Sequence, residues 1–334
     1  VASLAPFLSK TIGILGVISC HVVDSRLKLF LNRGGGLRKI RYKYLVKYVY
    51  AFRSFHKYRK SKDCTCLQSR ILVQCRQQWV RNTYMSNYST NPSEFQAIVL
   101  AAGRGRRMGS AVPKVLLPLM GRPIIAHVLD VLAKVGIGRP LIVIGAHAEM
   151  VRSTLGEGYR YVVQPEQLGS GHAVLCARDL MYGQSRHVIV MCGDSPLFKT
   201  QTIRSLVEAH RSLTPAITLV SACLEDPTGY GRILRDKMGE ITGVIEEVDA
   251  SDEEKAIKEV NGGCYAFESE WLWRNLDSIT ENESHEKCLT QLVTIAVHQG
   301  RRIISVSAEP DEILGINTPE DLTLAEAILA KRHC

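Results

Sequence analysis

From residue 96 to residue 220, short β-branched runs alternate with amphipathic stretches, and that alternation restricts the fold more than any other feature of the chain. Residues 96–101 (QAIVLA), 141–144, 161–163, 187–191 and 217–220 read as buried strands. Residues 124–134, 148–155, 172–181 and 202–212 place apolar side chains three and four apart, as a helix with one buried face does. Strand and helix in turn imply βαβ units, hence an α/β, doubly wound, mostly parallel sheet covered on both faces. In such sheets ligands bind beyond the carboxyl ends of the strands. Past Asp226 the pieces shorten into hairpin-like runs at 231–234, 240–245 and 260–267, which makes the sheet mixed. Helical patterns at 269–276 and 289–299, a strand at 302–306 and a closing helix at 319–331 complete the chain. Pro319, with Asn317 just ahead of it, fits that helix start.

Charge divides the chain. Residues 1–84 hold 17 Lys and Arg against two acids, Asp24 and Asp63, a net of +15; the remainder carries −6, and together they make the +9 of the whole. The larger part therefore exerts no bulk field that would draw it to nucleic acid or an anionic membrane. In the basic part, residues 11–23 form an apolar stretch of signal-peptide length, and VISC at 17–20 resembles a lipoprotein cleavage box. Residues 33–62 interleave basic and aromatic side chains, a composition suited to phosphates, bases or lipid headgroups and also to organelle import. The chain starts with Val and has no Met before Met85. The expectation is a basic leader at 1–94, disordered or an over-extended start, ahead of one domain at 95–334. No run of about eighteen uncharged apolar residues occurs, so no spanning helix is expected. The cysteines after residue 84 are never within twelve residues of one another, which excludes paired zinc knuckles and a tight disulfide framework there.

The turn after the first strand carries the chemistry. It reads Leu100-Ala101-Ala102-Gly103-Arg104-Gly105-Arg106-Arg107-Met108-Gly109, with Pro113-Lys114 close behind. A Walker loop needs GxxxxGK[ST], which is absent. A dinucleotide fingerprint needs GxGxxG, and here the third glycine comes one residue late with two arginines in the interval. Small residues that let the backbone approach a triphosphate fit better, with Arg107 and Lys114 as positive charge for a leaving pyrophosphate.

That pattern, L-A-A-G-x-G-x-R-M followed by P-K, resembles the nucleotidyltransferases that join sugar 1-phosphates to nucleoside triphosphates. In order along the chain come QPEQLGSGHA (164–173), GDSPL (193–197), DPTGYGRI (226–233), Ile245-Glu246, Asn261-Gly262-Gly263 and Gly315-Ile316-Asn317. With these the chain is similar to the uridylyltransferase half of the bacterial bifunctional enzymes that make UDP-N-acetylglucosamine, over about 95–332. The resemblance implies a Rossmann-like nucleotidyltransferase fold, with a nucleotide half at 95–225, a sugar-binding half at 226–316 and a closing helix at 317–334. It implies that Leu100, Ala102, Gly103, Gln164, Gln167, Gly169 and Ser170 surround the nucleotide, with Gln164 on uracil. It makes Asp194 and Asn317 the protein ligands of Mg²⁺, which keeps waters and phosphate oxygens for the rest of its octahedron. Gly231, Glu246 and Asn261 would bind the amino sugar, and Arg107 and Lys114 would be catalytic. The expected reaction joins UTP and N-acetylglucosamine 1-phosphate in the cytoplasm, with neither nucleic acid nor membrane as partner; the oligomeric state stays open.

The chain departs from that pattern on the sugar side. EKCLTQ at 286–291 lacks two tyrosines and an aspartate, and Gly262 stands for a threonine; in the nucleotide loop Arg106 also stands for a threonine. A glucose 1-phosphate uridylyl- or thymidylyltransferase is therefore the nearest rival, and binding to nucleic acid or a membrane surface through residues 1–84 is the rival of another class. The hexapeptide repeats of the bifunctional enzymes do not occur in this sequence, so no acetyl transfer is expected. More ordinary roles compete at single positions. Asp194 could cap a helix, Glu246 could belong to a solvated acidic run, His172 could simply begin a helix, and Cys192 could be a small buried filler.

Overall fold

The computed structural model describes residues 93–333, apart from Arg104, Arg106, Arg107, Ala111 and Glu283, together with three strands nearer the N-terminus. The chain divides into two units, Val1–Asn87 and Tyr88–Cys334. In the first unit β1 (Ile18–Val23), β2 (Arg26–Arg33) and β3 (Gly36–Lys39) form an antiparallel sheet in that order. The expected leader ends in described residues, since 93 and 94 begin a strand of the second unit; its residues 40–92, which include 40–62 of the basic and aromatic stretch, lie outside the described residues.

The second unit is built on a nine-stranded mixed sheet. Its path runs β12 (Ile241–Ile245), β11 (Arg232–Arg235), β13 (Glu259–Glu268), β9 (Ser185–Cys192), β4 (Ser93–Ala101), β7 (Leu141–Ile144), β8 (Arg160–Val163). Off this path, β10 (Ile217–Cys223) pairs with β13 and with β14 (Ile303–Ser307), and β5 (Pro118–Leu119) and β6 (Arg122–Pro123) form a separate small hairpin. From β9 across β4 and β7 to β8 every pairing is parallel. β13 turns the sheet antiparallel against β9 and β10.

Both faces are covered because successive strand residues point to opposite sides. In β4, Ile98 packs into one core with Val174, Met181, Trp271 and Leu292, while Ala97 and Val99 enter the other with Ile125, Leu132, Ile203 and Leu206. The helices of the first face are α3 (Ser170–Cys176), α4 (Arg178–Met181), α7 (Ser269–Asn275) and α8 (Gln291–His298). The second face carries α1 (Ile124–Lys134), α2 (Ala148–Leu155) and α5 (Thr200–Leu213), with the short α6 (Asp252–Lys255) and the closing α9 (Pro319–His333) elsewhere. α1 buries Ile124, Ile125, Val128, Leu129, Val131 and Leu132 along one stripe, each contributing roughly 1.5–3 kcal/mol when taken fully from water.

The helix expected at 172–181 is two helices, starting at Ser170 and interrupted at Ala177. The closing helix starts at Pro319, but the cap is Thr318, whose Oγ1 accepts the Asp321 N–H at 3.2 Å, while Asp321 Oδ2 accepts the N–H groups of Asn317 and Thr318 at 2.8 Å. This box leaves the Asn317 side chain outside the helix, turned to other work.

Candidate active site

Four parallel strands end side by side, and their carboxyl ends deliver Ala102 after β4, Gly145 after β7, Gln164 after β8 and Asp194 after β9. The Gly193 N–H donates to the Leu100 carbonyl at 2.8 Å and the Gln164 N–H to the Ile144 carbonyl at 2.8 Å, so adjacent loops begin as extensions of the ladder. A small cleft opens here, lined by Ala101, Ala102, Gly103, Pro113, Gly145 and His147. Gly145 makes its closest approach to this loop: a Cβ there would lie 2.5 Å from the Ala102 carbonyl oxygen and 3.1 Å from Gln167 Nε2. Only a residue without a side chain lets β7, Ala102 and Gln167 meet this way.

Gln164 is buried, and its Nε2 donates to the Gly169 carbonyl at 3.1 Å and lies 3.1 Å from His172 Nδ1. His172 sits in α3 as a prop for that amide. At Gly169 the chain takes φ +96°, and a Cβ would stand 2.7 Å from both N and O of Lys287. The loop around Lys287 is stitched on by Lys287 N–H to the Leu168 carbonyl at 2.8 Å and Gly171 N–H to the Lys287 carbonyl at 2.7 Å. Ser170 Oγ accepts the Leu289 N–H at 2.9 Å, so this hydroxyl ties the loop at 164–170 to the segment 286–291.

Lys114, Asp194 and Asn317 meet at one point. The Lys114 ammonium is 2.5 Å from Asp194 Oδ2 and donates to Asn317 Oδ1 at 2.9 Å. Lys114 opens a 3₁₀ turn (Lys114–Leu116) whose Val115 and Leu116 are buried. The loops of the other two are joined by the Ile316 N–H, which donates to the Asp194 carbonyl at 2.9 Å. Asp194 does not cap a helix, because the next one begins only at Thr200. The structure thus brings together two oxygens from residues more than a hundred positions apart, both aimed at one positive charge. Arg107 lies outside the described residues.

Gly231, Glu246 and Asn261 also converge. Glu246 Oε2 is 3.2 Å from where a Cβ on Gly231 would stand, and the Asn261 N–H donates to the Gly231 carbonyl at 2.8 Å. Asn261 lies at a break in register between β10 and β13, where Leu219 pairs with Tyr265 but Ser221 with Asn261. Such irregularities re-aim side chains beside functional sites. Asn261 Nδ2 donates to the Tyr265 hydroxyl at 2.6 Å, and Thr290 Oγ1 donates to Glu246 Oε1 at 2.6 Å. Glu246 therefore has a specific buried partner and is not part of a solvated run. Within the same bulge Gly262 has no room for the expected threonine: a Cβ would stand 2.9 Å from Ile313 Cγ2 and 3.0 Å from the Val220 carbonyl. Beside the site, burial pushes the Cys192 and Cys288 thiols up to about 12, so both are inert apolar groups at neutral pH.

Three supporting residues escape sequence reasoning. Arg232 is buried, pairs with Glu247 at 2.7 Å and donates to the carbonyls of Tyr230 and Lys255, bracing the strands that carry Gly231 and Glu246. Its guanidinium holds the Glu247 carboxyl below the usual range. Glu312 is buried, and its carboxylate accepts the Lys199 N–H at 2.8 Å and the Thr202 hydroxyl at 2.6 Å, capping α5 from a distant turn. That cap joins the segment after Asp194 to the segment before Asn317. Tyr265 holds Asn261. The one sequence signal was Glu309-Pro310-x-Glu312, the box that opens the turn bearing Glu312.

The fold is that of the nucleotidyltransferases, and residues 97–253 match the MobA-like NTP transferase domain. Within that class the chain resembles the uridylyltransferase half of the bacterial bifunctional enzymes. It is 43% identical over 238 residues to the Bifunctional protein GlmU of Heliobacterium modesticaldum, covering 71% of this chain and 52% of that protein. The same protein of Trichlorobacter lovleyi is 42% identical over 241 residues, again 71% and 52%. The chain thus spans about half the length of the curated relatives it matches. A crystal structure described as a glucose-1-phosphate thymidylyltransferase of Bacillus anthracis superposes with a TM-score of 0.60 at 21% identity, covering 70% of this chain and 94% of that one, a likeness of fold.

Proposed function

We infer that the domain transfers a uridylyl group from UTP to a sugar 1-phosphate, N-acetylglucosamine 1-phosphate, giving UDP-N-acetylglucosamine and pyrophosphate. The observation that carries this reading is the convergence of Asp194 Oδ2 and Asn317 Oδ1 on one cation, at the strand ends where a nucleotide binds. Two hard oxygen donors suit Mg²⁺, which needs few protein ligands. When bound, Mg²⁺ would offset charge on the α-phosphate and on the departing pyrophosphate.

The chain's own residues do the rest. The backbone at Ala102 and Gly103, against Gly145 after β7, gives the base and ribose a flat seat. Gln164 presents its amide to the base, its Nε2 committed to the Gly169 carbonyl and its Oε1 without a partner among the described residues. That oxygen suits the N3–H of uracil. Glu246 and Asn261 accept and donate to sugar hydroxyl and acetamido groups. The sugar phosphate oxygen attacks the α-phosphorus in line and pyrophosphate leaves, so no protein nucleophile is needed; positioning and electrostatics supply the rate. Lys114 and Arg107 stabilise charge on the leaving group. Small-molecule substrates and a cytoplasmic setting belong to the same reading. Among the described residues no helix is long and apolar enough to cross a membrane.

The test is pyrophosphate release by the full chain across a panel of UTP or dTTP with N-acetylglucosamine 1-phosphate or glucose 1-phosphate. The expected outcome is a preference for UTP with the acetylated sugar, and a loss of roughly 100-fold or more in turnover for Asp194→Ala. Near-normal turnover of Asp194→Ala refutes the metal assignment, and a preference for glucose 1-phosphate refutes the sugar.

A further inference from the structure

We propose that Lys114 and the divalent cation are alternative occupants of one oxygen site, so that metal binding releases the lysine toward the triphosphate. The proposal rests on the metal reading above and goes beyond it. The ammonium lies 2.5 Å from Asp194 Oδ2 and 2.9 Å from Asn317 Oδ1, the two oxygens that reading assigns to Mg²⁺. A divalent ion bonded to both oxygens at about 2.1 Å would leave a second positive charge no place against the same lone pairs.

The two sides of the site are built differently. The Asn317 amide is held from behind, and the main chain that carries Asp194 is pinned. Asp194 is anchored through its carbonyl by the Ile316 N–H, and Asn317 through its N–H by Asp321 and through Nδ2 by the Gly315 carbonyl at 3.1 Å. That last bond turns the amide so that its oxygen faces the lysine. They stay in place when the cation changes. Lys114 is fixed only at its root: Leu117 N–H donates to its carbonyl at 3.1 Å, and the next two residues are buried. Its side chain is only 11% exposed, but the four-carbon stem has rotamers to change, which the short oxygen-bearing side chains lack. The root also stands against the glycine loop, since a Cβ on Gly105 would be 3.0 Å from Lys114 Cβ. The ammonium that leaves Asp194 is therefore within a side chain's length of the loop that seats the phosphates. One lysine thus keeps the carboxylate neutralised before the metal arrives and becomes a phosphate-binding charge afterwards.

The experiment uses the full chain and two readouts that need no turnover. Free Mn²⁺ is titrated by electron paramagnetic resonance against wild type, Lys114→Met, Lys114→Gln and Asp194→Ala. Acylation of lysines by N-hydroxysuccinimidyl acetate is mapped by mass spectrometry with and without Mg²⁺. Removing the internal cation should tighten Mn²⁺ binding roughly tenfold in Lys114→Met or in Lys114→Gln, the worth of one charge-assisted contact. In wild type, Mg²⁺ should raise labelling of Lys114 while that of the exposed Lys237 stays constant. Unchanged or weaker Mn²⁺ binding by the Lys114 variants, or labelling of Lys114 that Mg²⁺ does not raise, overturns the exchange while leaving the metal site standing. Undiminished Mn²⁺ binding by Asp194→Ala overturns the metal site itself, and the exchange with it.

Discussion

Replacing Gly145 by alanine tests the close approach on which the nucleotide seat depends. The new Cβ would stand 2.5 Å from the Ala102 carbonyl oxygen, whereas ordinary contact begins at 3.4 Å, so backbone must yield by about 0.9 Å. The neighbour is main chain in a strand-end loop with β4 on one side, and it has no rotamer to change. Overpacking of this kind costs about 1–3 kcal/mol. At about 2–4 °C per kcal/mol for a domain of this size, the melting temperature should fall by about 2–12 °C. Because the displaced carbonyl belongs to the loop proposed to receive the base and ribose, UTP affinity should fall with it. Gly138→Ala is the control: nothing lies within 4 Å of a Cβ there and its φ is not in the left-handed range, so stability should stay level or rise by about 0.4–1 kcal/mol. Differential scanning fluorimetry with and without UTP, and calorimetric titration of UTP, read both effects. A Gly145→Ala protein with wild-type melting and wild-type UTP affinity would falsify the account of the seat.

Three further outcomes are expected. Burial and the neighbouring His187 push the fully buried His210 down to about 3, so between pH 6.5 and 3 the unfolded chain binds the extra proton; stability is full above pH 6.5 and declines as pH falls, by about 2 kcal/mol at pH 5. Urea unfolding at pH 7.5 and 5.0 should show that loss in wild type and a smaller one in His210→Asn. Glu312→Ala should lower stability by about 1.5–3 kcal/mol for each charge-assisted bond it removes from Lys199 and Thr202, and Glu312→Gln, which keeps an acceptor, by less; equal losses in urea unfolding would contradict the remote cap. Arg232→Met, which strands Glu247 and frees the Tyr230 and Lys255 carbonyls, should raise the KM for sugar phosphate more than that for UTP. Steady-state kinetics with each substrate varied in turn separates this from a general loss.

Local order was legible in the sequence wherever it depends on neighbours along the chain. Helix 124–134 and strand 141–144 have the bounds their periodicity implies, since apolar spacing and β-branching act over a few residues. The helix at 172–181 did not, because its true start answers to a distant segment: Ser170 bonds Leu289, and Gly169 is wedged against Lys287. The ordered motifs from Leu100 to Asn317 were likewise visible, but what each residue touches was not.

For Asp194 the sequence allowed a helix cap or a metal ligand with the same letters. Only folding, which sets it 2.5 Å from Lys114 and six positions before the next helix, rules out the cap. Arg232 and Thr290 carried no signal, and Glu312 only that of a turn-opening box, because a polar residue in a loop reads as solvated until the chain closes over it. The sequence by itself determined the alternation of strand and helix, the parallel sheet that alternation demands, and the edge at which sheets of this kind bind ligands. The tertiary structure decided which oxygens share a cation and which charges are buried together. Those depend on distances between residues as much as 203 positions apart, and no local propensity encodes them.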